Sequence, residues 1–227
     1  MALKFTTTDR AAAVSGVKIL TYSRAGIGKT TLCATCPAPI ILSAEAGLLA
    51  LAKFQIPVIE IKTVDDLTEA HSWLLSSTEA RQFATICIDS VSEIGEVVLS
   101  NAKLQVKDPR QAYGELIEKM LMVIKKFRDI QGKHVYVTAK EEREVDQHTG
   151  RVLRVPSMPG RQLGPGLPYY FDEVFHLGVG TTAEGKTYRY LRTQPDFQYE
   201  AKDRSGKLDP IEPPDLNHII TKILKGD

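Results

Sequence analysis

The sequence lacks any apolar run long enough to cross a bilayer, and Met1-Ala2-Leu3-Lys4 does not begin a signal peptide. We therefore expect a soluble, cytoplasmic protein without a membrane partner. The sequence also lacks an excess of charge of one sign, because 29 Lys and Arg residues stand against 28 Asp and Glu residues. With a net charge of +1, the chain as a whole is not attracted to polyanions, so any nucleic-acid contact must come from a local patch.

Cysteine is also scarce, since the chain has three, which fits a reducing compartment. Cys33 and Cys36 form a C-x-x-C pair, but with only Cys87 in addition a set of four zinc ligands is missing, so we expect core cysteines. The histidines are not spaced as a ligand cluster. The 227 residues suit one α/β domain and are too few for two. We divide the chain into an N-terminal arm at 1–14, a core at 15–210 and a C-terminal helix at 211–227.

Short apolar runs alternate with helical patterns, which is typical of a mainly parallel sheet flanked by helices. Strands are predicted at 19–22, 39–43, 58–61, 84–89, 134–138 and 173–177, and helices at 29–35, 64–76, 111–130 and 216–224. Residues 186–192 alternate with period two after Glu184-Gly185, which predicts a late antiparallel strand. The predicted fold class is therefore α/β.

A nearly complete phosphate-binding loop lies between the first strand and the first helix. Its residues are Ser23, Arg24, Ala25, Gly26, Ile27, Gly28, Lys29, Thr30 and Thr31. The two glycines let backbone N–H groups approach a polyphosphate, Lys29 would reach its β- and γ-phosphates, and Thr30 would ligate Mg²⁺. Ser23 stands where the usual pattern opens with glycine. The loop predicts binding of ATP and Mg²⁺, and a chance glycine-rich turn is disfavoured by the strand and helix around it.

Two acidic residues follow predicted strands near this loop. Asp89 ends the strand at 84–89 and would hold Mg²⁺, or alternatively would cap a helix that begins near Ser92. Glu45 follows the strand at 39–43, where an acid would orient and partly deprotonate an attacking water. The alternative for Glu45 is an ordinary surface residue, in which case Glu93 is the next candidate base.

Near the end of the chain, Ala201-Lys202-Asp203-Arg204-Ser205-Gly206 resembles the Lys-x-Arg finger of RecA-fold oligomers. With the phosphate loop, Glu45 and Asp89-Ser90, it makes residues 17–207 resemble a RecA-type core ATPase. Most AAA+ proteins instead carry the catalytic acid directly after the Asp. The compact length is similar to that of phage single-strand annealing proteins of the Sak-four family. The alternative for Lys202 and Arg204 is a solvated basic turn.

This resemblance implies a slow ATPase, stimulated by DNA or by oligomerisation, that works with single-stranded DNA and a single-strand-binding protein. If the protein is phage-encoded, its location is the host cytoplasm. The resemblance also implies a homo-oligomer, either a ring or a filament. In such an oligomer Lys202 and Arg204 of one subunit stabilise charge at the neighbour's γ-phosphate, and Glu45 and Lys29 complete the catalytic set.

Two loops are expected to contact DNA, because the corresponding loops of RecA-like folds face the axis of the ring or filament. They are residues 101–111 and 140–170. Residues 149–171 contain Arg151, Arg154 and Arg161, several glycines and a closing Tyr169-Tyr170-Phe171, which suits a single strand. The alternative is a mobile surface loop whose aromatics enter the core, and the next candidate cations are Lys103, Lys107 and Arg110. Thr138 would either sense the γ-phosphate or satisfy a buried backbone group.

These features predict an ATP-dependent, single-stranded-DNA-binding protein of recombination or annealing. One alternative is a RecA-fold motor or loader in replication or DNA packaging. Another is a small-molecule or nucleoside kinase, which would need an acceptor site and a mobile Arg-rich lid.

Overall fold

The centre of the molecule is a mixed β-sheet, seen in a computed structural model that describes residues 5–45, 47–145, 147–160 and 162–225. Within those ranges the strands are β1 Lys18–Ser23, β2 Pro39–Ser43, β3 Val58–Glu60, β4 Thr85–Asp89, β5 His134–Val145, β6 Val152–Ser157, β7 Glu173–Thr181, β8 Thr187–Arg192, β9 Lys202–Asp203 and β10 Ile211–Glu212. The strands β3-β2-β4-β5-β1-β7 run parallel in that order, and β8 and β10 extend the β7 edge antiparallel. The predicted α/β class, mainly parallel with late antiparallel strands, is confirmed.

Helical segments cover both faces of this sheet. The α-helices are α1 Thr8–Ser15, α2 Val64–Ser76, α3 Val91–Gln105, α4 Pro109–Arg128, α5 Leu163–Gly166 and α6 Leu216–Lys225, and 3₁₀ turns occupy Thr30–Thr35, Leu48–Phe54, Glu79–Gln82 and Leu167–Tyr170. Alternate residues of a strand point to opposite faces. Accordingly, Leu20 packs into the apolar cluster of α2, α3 and α4, whereas Ile19 packs with the turn Thr30–Thr35 and α6.

Capping explains the bounds of two predicted helices. Thr63 and Asp66 form a reciprocal capping box that starts α2, which has the predicted span. Helix α4 begins two residues before the predicted position 111, because Asp108 caps it by accepting from the Arg110 N–H and Pro109 occupies its first position.

Three predictions about local structure were wrong. The helix expected at 29–35 is a 3₁₀ turn, Thr30–Thr35. The first expected DNA loop, 101–111, is mostly the end of α3 and the start of α4. In the second, β5 continues to Val145 and pairs antiparallel with β6. The sequence did not predict this part of β5 because most of residues 140–145 are charged. These residues lie in the antiparallel hairpin and lack the apolar pattern of a buried parallel strand.

The prediction of core cysteines is confirmed. Cys33, Cys36 and Cys87 are free and buried, and burial raises the pKa of the Cys87 thiol well above its usual value. In the described ranges, no three side chains of the types His, Cys, Asp and Glu are grouped so that they could hold a metal ion. Across the same ranges, no helix is both long and apolar enough to span a bilayer.

Strand β7 offers a matched test of the core. Val174 is fully buried, whereas Val179, further along the same strand, is 48% exposed. We expect Val174→Ala to lower the free energy of unfolding by about 2 kcal/mol, because it removes buried methyl groups and leaves a cavity. Val179→Ala should cost less than about 0.5 kcal/mol in the same urea titration. Equal losses would contradict the burial of β7 described here.

Candidate functional site

The phosphate loop leaves the carboxyl end of β1 and turns through two glycines. Gly26 has a φ of 76° and Gly28 a φ of 112°, conformations that other residues rarely adopt. A Cβ atom on Gly28 would also lie 2.6 Å from Nη1 of Arg189 and 2.9 Å from Oγ1 of Thr31. Both positions therefore require glycine. Ser23, by contrast, is the last residue of β1 and pairs with Lys140, so the extended backbone there accepts a serine.

Lys29 is held inside the curve of this loop. Its Nζ donates to the carbonyl oxygens of Ser23 at 2.9 Å and Arg24 at 3.1 Å. Burial lowers the pKa of Lys29, and the nearby carboxylates of Asp89 and Glu45 oppose that shift. The ammonium group thus lies between the loop backbone and the acidic residues at the ends of β2 and β4.

Asp89 connects the loop to the two strands beside it. It is buried at the carboxyl end of β4 and accepts a hydrogen bond from the Thr30 hydroxyl at 2.6 Å. Its other oxygen accepts a hydrogen bond from Thr138 of β5, the strand that lies between β1 and β4. Thr138 therefore supports the carboxylate, a role different from both of the predicted ones.

Glu45 lies next to this pair because β2 and β4 are parallel neighbours. Ser43 is level with Asp89 in the sheet, and the Ser90 hydroxyl donates to Glu45 Oε1 at 2.6 Å. Ser90 also caps α3 by accepting from the Glu93 N–H, so the alternative that Asp89 is the cap is wrong. The carboxylate of Glu93 instead pairs with Lys140 at 2.5 Å.

This set of groups fits a nucleotide polyphosphate and Mg²⁺. The Thr30 hydroxyl and the Asp89 carboxylate are adjacent oxygen ligands of the kind Mg²⁺ prefers, and they would hold the ion. When bound, Mg²⁺ neutralises charge on phosphate oxygens. The two glycines leave the loop open to phosphate, and Lys29 supplies a positive charge within it.

Lys202 and Arg204 lie at the opposite end of the sheet. Strand β9 pairs with the first residues of β7, whose amino end is level with that of β1. β1 has six residues, so roughly 20 Å of strand separates the two ends. Lys202 Nζ donates to the Pro168 carbonyl oxygen at 2.7 Å, and Arg204 pairs with Asp172 at 2.9 Å. Neither cation contacts the phosphate loop of its own chain.

The three predicted DNA-binding arginines have different environments. Arg154 pairs with the buried carboxylate of Glu141 at 2.8 Å, so its guanidinium has a partner inside the protein. Arg151 is exposed, donates to the carbonyl oxygens of Asp196 and Phe197, and lies 5.5 Å from the centre of the Phe197 ring. Arg161 lies outside the described residues. Of the two members that the structure describes, Arg154 thus has a carboxylate partner and Arg151 has backbone carbonyl partners.

Sequence reasoning missed Arg189, whose guanidinium lies against Gly28. The period-two pattern of residues 186–192 predicted the strand that carries it. No sequence signal placed that strand beside β7 in the register that brings Arg189 to the phosphate loop.

A buried parallel strand, a glycine-rich loop with Lys29 and Thr30, and an acid at the end of a neighbouring strand define a P-loop ATPase fold. A family model described as an AAA domain matches residues 15–205, and the chain belongs to that AAA domain family. A crystal structure of a KaiC-like protein from the hyperthermophilic archaeon Pyrococcus horikoshii is similar over 79% of this chain and 81% of its own, at 14% identity and a TM-score of 0.44. No curated protein sequence matches the chain.

Lys29→Ala should abolish nucleotide binding and leave the fold intact, because the lost ammonium contacts only loop carbonyls and the neighbouring Ser23 hydroxyl. Isothermal titration with ATP and Mg²⁺ measures the binding, and circular dichroism checks the fold. Lys62→Ala is the matched control, since Lys62 is exposed and paired only with Glu60. Parent-like ATP binding by Lys29→Ala would refute the loop as the nucleotide site.

Proposed function

We propose that this protein is an ATPase that binds single-stranded DNA, works as a homo-oligomer, and acts in recombination or annealing beside a single-strand-binding protein. The observation that supports ATPase activity is the hydrogen bond from Ser90 to Glu45. Because Ser90 directly follows Asp89, this bond brings the candidate base next to the acid that would hold the metal.

The contacts of the residues at the carboxyl ends of the parallel strands support a specific role for each of them. Lys29 neutralises phosphate charge, and Thr30 and Asp89 hold Mg²⁺. Ser90 fixes one oxygen of Glu45, which leaves the other oxygen to accept a proton from water as hydrolysis proceeds. Thr138 keeps Asp89 in place through its second oxygen. Together these groups favour in-line attack of a water on the terminal phosphate.

DNA binding is supported by an exposed pair of a cation and an aromatic ring. Phe197 is 83% exposed, and Arg151 lies against its ring. Isolated exposed aromatics are common, but an aromatic with an adjacent arginine suits a base that stacks and a phosphate that pairs. Arg143 is also exposed, on the same β5–β6 hairpin.

Arg151→Ala combined with Phe197→Ala should weaken single-stranded DNA binding and reduce the slope of log affinity against log salt by about 0.7 for the one lost phosphate contact. Fluorescence anisotropy with a labelled oligonucleotide measures both quantities. Arg81→Ala, an exposed arginine on the turn Glu79–Gln82, is the control. ATP turnover should rise with single-stranded DNA in the parent chain and rise less in the double variant. Turnover that responds to a nucleoside acceptor instead of DNA would favour a kinase.

Oligomerisation is supported by the location of Lys202 and Arg204. Because they lie at the amino end of the sheet, they can complete a phosphate site only on another subunit. Arg204 is largely exposed there and has one partner, Asp172, which leaves part of its guanidinium accessible. A finger of this kind stabilises charge that develops at the γ-phosphate.

Mixing two inactive variants tests this sharing. Glu45→Gln should bind ATP and hydrolyse it at least about 100-fold more slowly, and Arg204→Ala should also bind ATP and hydrolyse it poorly. Their mixture should regain ATPase activity, because some interfaces combine an intact Glu45 with an intact Arg204. Glu45→Gln mixed with Lys29→Ala should not recover, since both changes affect the same half of the site. Mixed rates that never exceed the sum of the separate variants would exclude the shared site.

A further inference from the structure

Arg189 projects from β8 over the phosphate loop of its own chain. We propose that its guanidinium binds the α- and β-phosphates of the nucleotide. Arg189 would thus act on the nucleotide of its own chain, whereas Lys202 and Arg204 would act on that of a neighbouring subunit. This proposal rests on the proposed nucleotide binding and assigns a further residue to that same site.

The register of the β7–β8 pair determines the position of Arg189. His176 of β7 is level with Tyr22 near the end of β1, and Arg189 pairs with Val179, three residues beyond that level. Because β7 is parallel to β1, three residues further along β7 lie past the point where β1 turns into the loop. Measured along the strand axis, Arg189 therefore lies at the level of the phosphate loop.

The face of the sheet is also the correct one. Leu191 of β8 is buried in the apolar cluster that contains Leu32 and Cys33, which follow the phosphate loop. Residues two apart on a strand share a face. Arg189 and Leu191 therefore point to the side of the sheet on which the loop and its following turn lie.

The contact itself is close. A Cβ atom on Gly28 would lie 2.6 Å from Nη1 and 3.0 Å from Cζ of Arg189, so the guanidinium packs against the loop where a larger residue would displace it. The strand that carries Arg189 is supported from the opposite face, where Tyr190 lies over Gly178 and Tyr188 over Gly180. Arg189 is thus placed by a packed hairpin.

Two other arginines of the sheet, Arg192 and Arg154, are paired with acids, but Arg189 is not. Arg192 pairs with Asp196 at 2.9 Å and Arg154 with Glu141 at 2.8 Å. Among the residues the structure describes, no carboxylate pairs with the exposed Arg189. An arginine fork without an internal acid, held at a phosphate-binding loop, is suited to a phosphate.

The order of strands indicates which phosphates it meets. The groups for metal binding and hydrolysis lie on one side of β1, namely Thr138 in β5, Asp89 at the end of β4 and Glu45 just after β2. Arg189 is on β8, on the other side of β1. It therefore faces the part of the polyphosphate that is further from the reacting γ-phosphate, and it contributes to affinity for ADP and ATP alike.

The test measures binding by the full chain, with fluorescent ADP and a non-hydrolysable ATP analogue in the presence of Mg²⁺. Arg189→Gln should weaken both by about tenfold, the effect of one charge-assisted contact. It should leave the thermal unfolding of the nucleotide-free protein close to that of the parent. Lys186→Gln, which removes the same charge just before β8, should change neither affinity. Arg189→Lys should be intermediate, because lysine keeps the charge without the fork.

Unchanged ADP affinity in Arg189→Gln would overturn the proposal. Loss of affinity for the ATP analogue alone, or slow hydrolysis with normal ADP binding, would place Arg189 at the γ-phosphate and overturn the assignment to the α- and β-phosphates. Failure of the proposed function gives a different result, because the parent chain would then bind neither nucleotide. Weaker binding together with a lowered unfolding temperature of the nucleotide-free variant would show a structural role and also count against the proposal.

Discussion

The buried carboxylate of Asp89 is the constraint on which the nucleotide site depends. A carboxylate that is only 2% exposed must be hydrogen-bonded, since an unpaired buried charge is costly. Thr30 from the phosphate loop and Thr138 from β5 supply those bonds. They bring the loop and the carboxyl ends of β4 and β5 together, and Glu45 joins them through Ser90. The candidate metal ligands and the candidate base are thus organised by one side chain.

The parallel arrangement of the strands also separates two groups of charged residues. Every parallel strand presents its carboxyl end at the same edge, so the residues that follow β1, β2 and β4 meet there. Lys202 and Arg204 pair with the amino end of β7 and belong to the other edge. Arg189 reaches the nucleotide edge because β8 is antiparallel and returns alongside the extended end of β7. The two groups of cations therefore lie at opposite ends of the parallel strands.

Membership of the AAA domain family agrees with the phosphate loop and with Asp89. The residue after Asp89 is a serine, and its hydroxyl both starts α3 and orients Glu45 from the neighbouring strand. The hydroxyl of Ser90 therefore connects the end of β4 to an acid that lies 45 residues earlier in the chain. The candidate catalytic acid therefore lies beside Asp89-Ser90 in space without following the Asp directly in the sequence.

The sequence alone determined the local features: the strand before the phosphate loop, the glycines at 26 and 28, the capping of α2, and the acids that end β2 and β4. These depend on interactions between residues near one another in the chain, so their patterns are visible there. Tertiary structure decided the rest. Residues 140–157, predicted as part of a loop, largely form the β5–β6 hairpin, in which Arg154 pairs with the buried Glu141. The sheet also places Thr138 next to Asp89 and Arg189 next to Gly28. Those contacts depend on which strands are neighbours in the sheet, and the pattern within a single strand does not encode its neighbours.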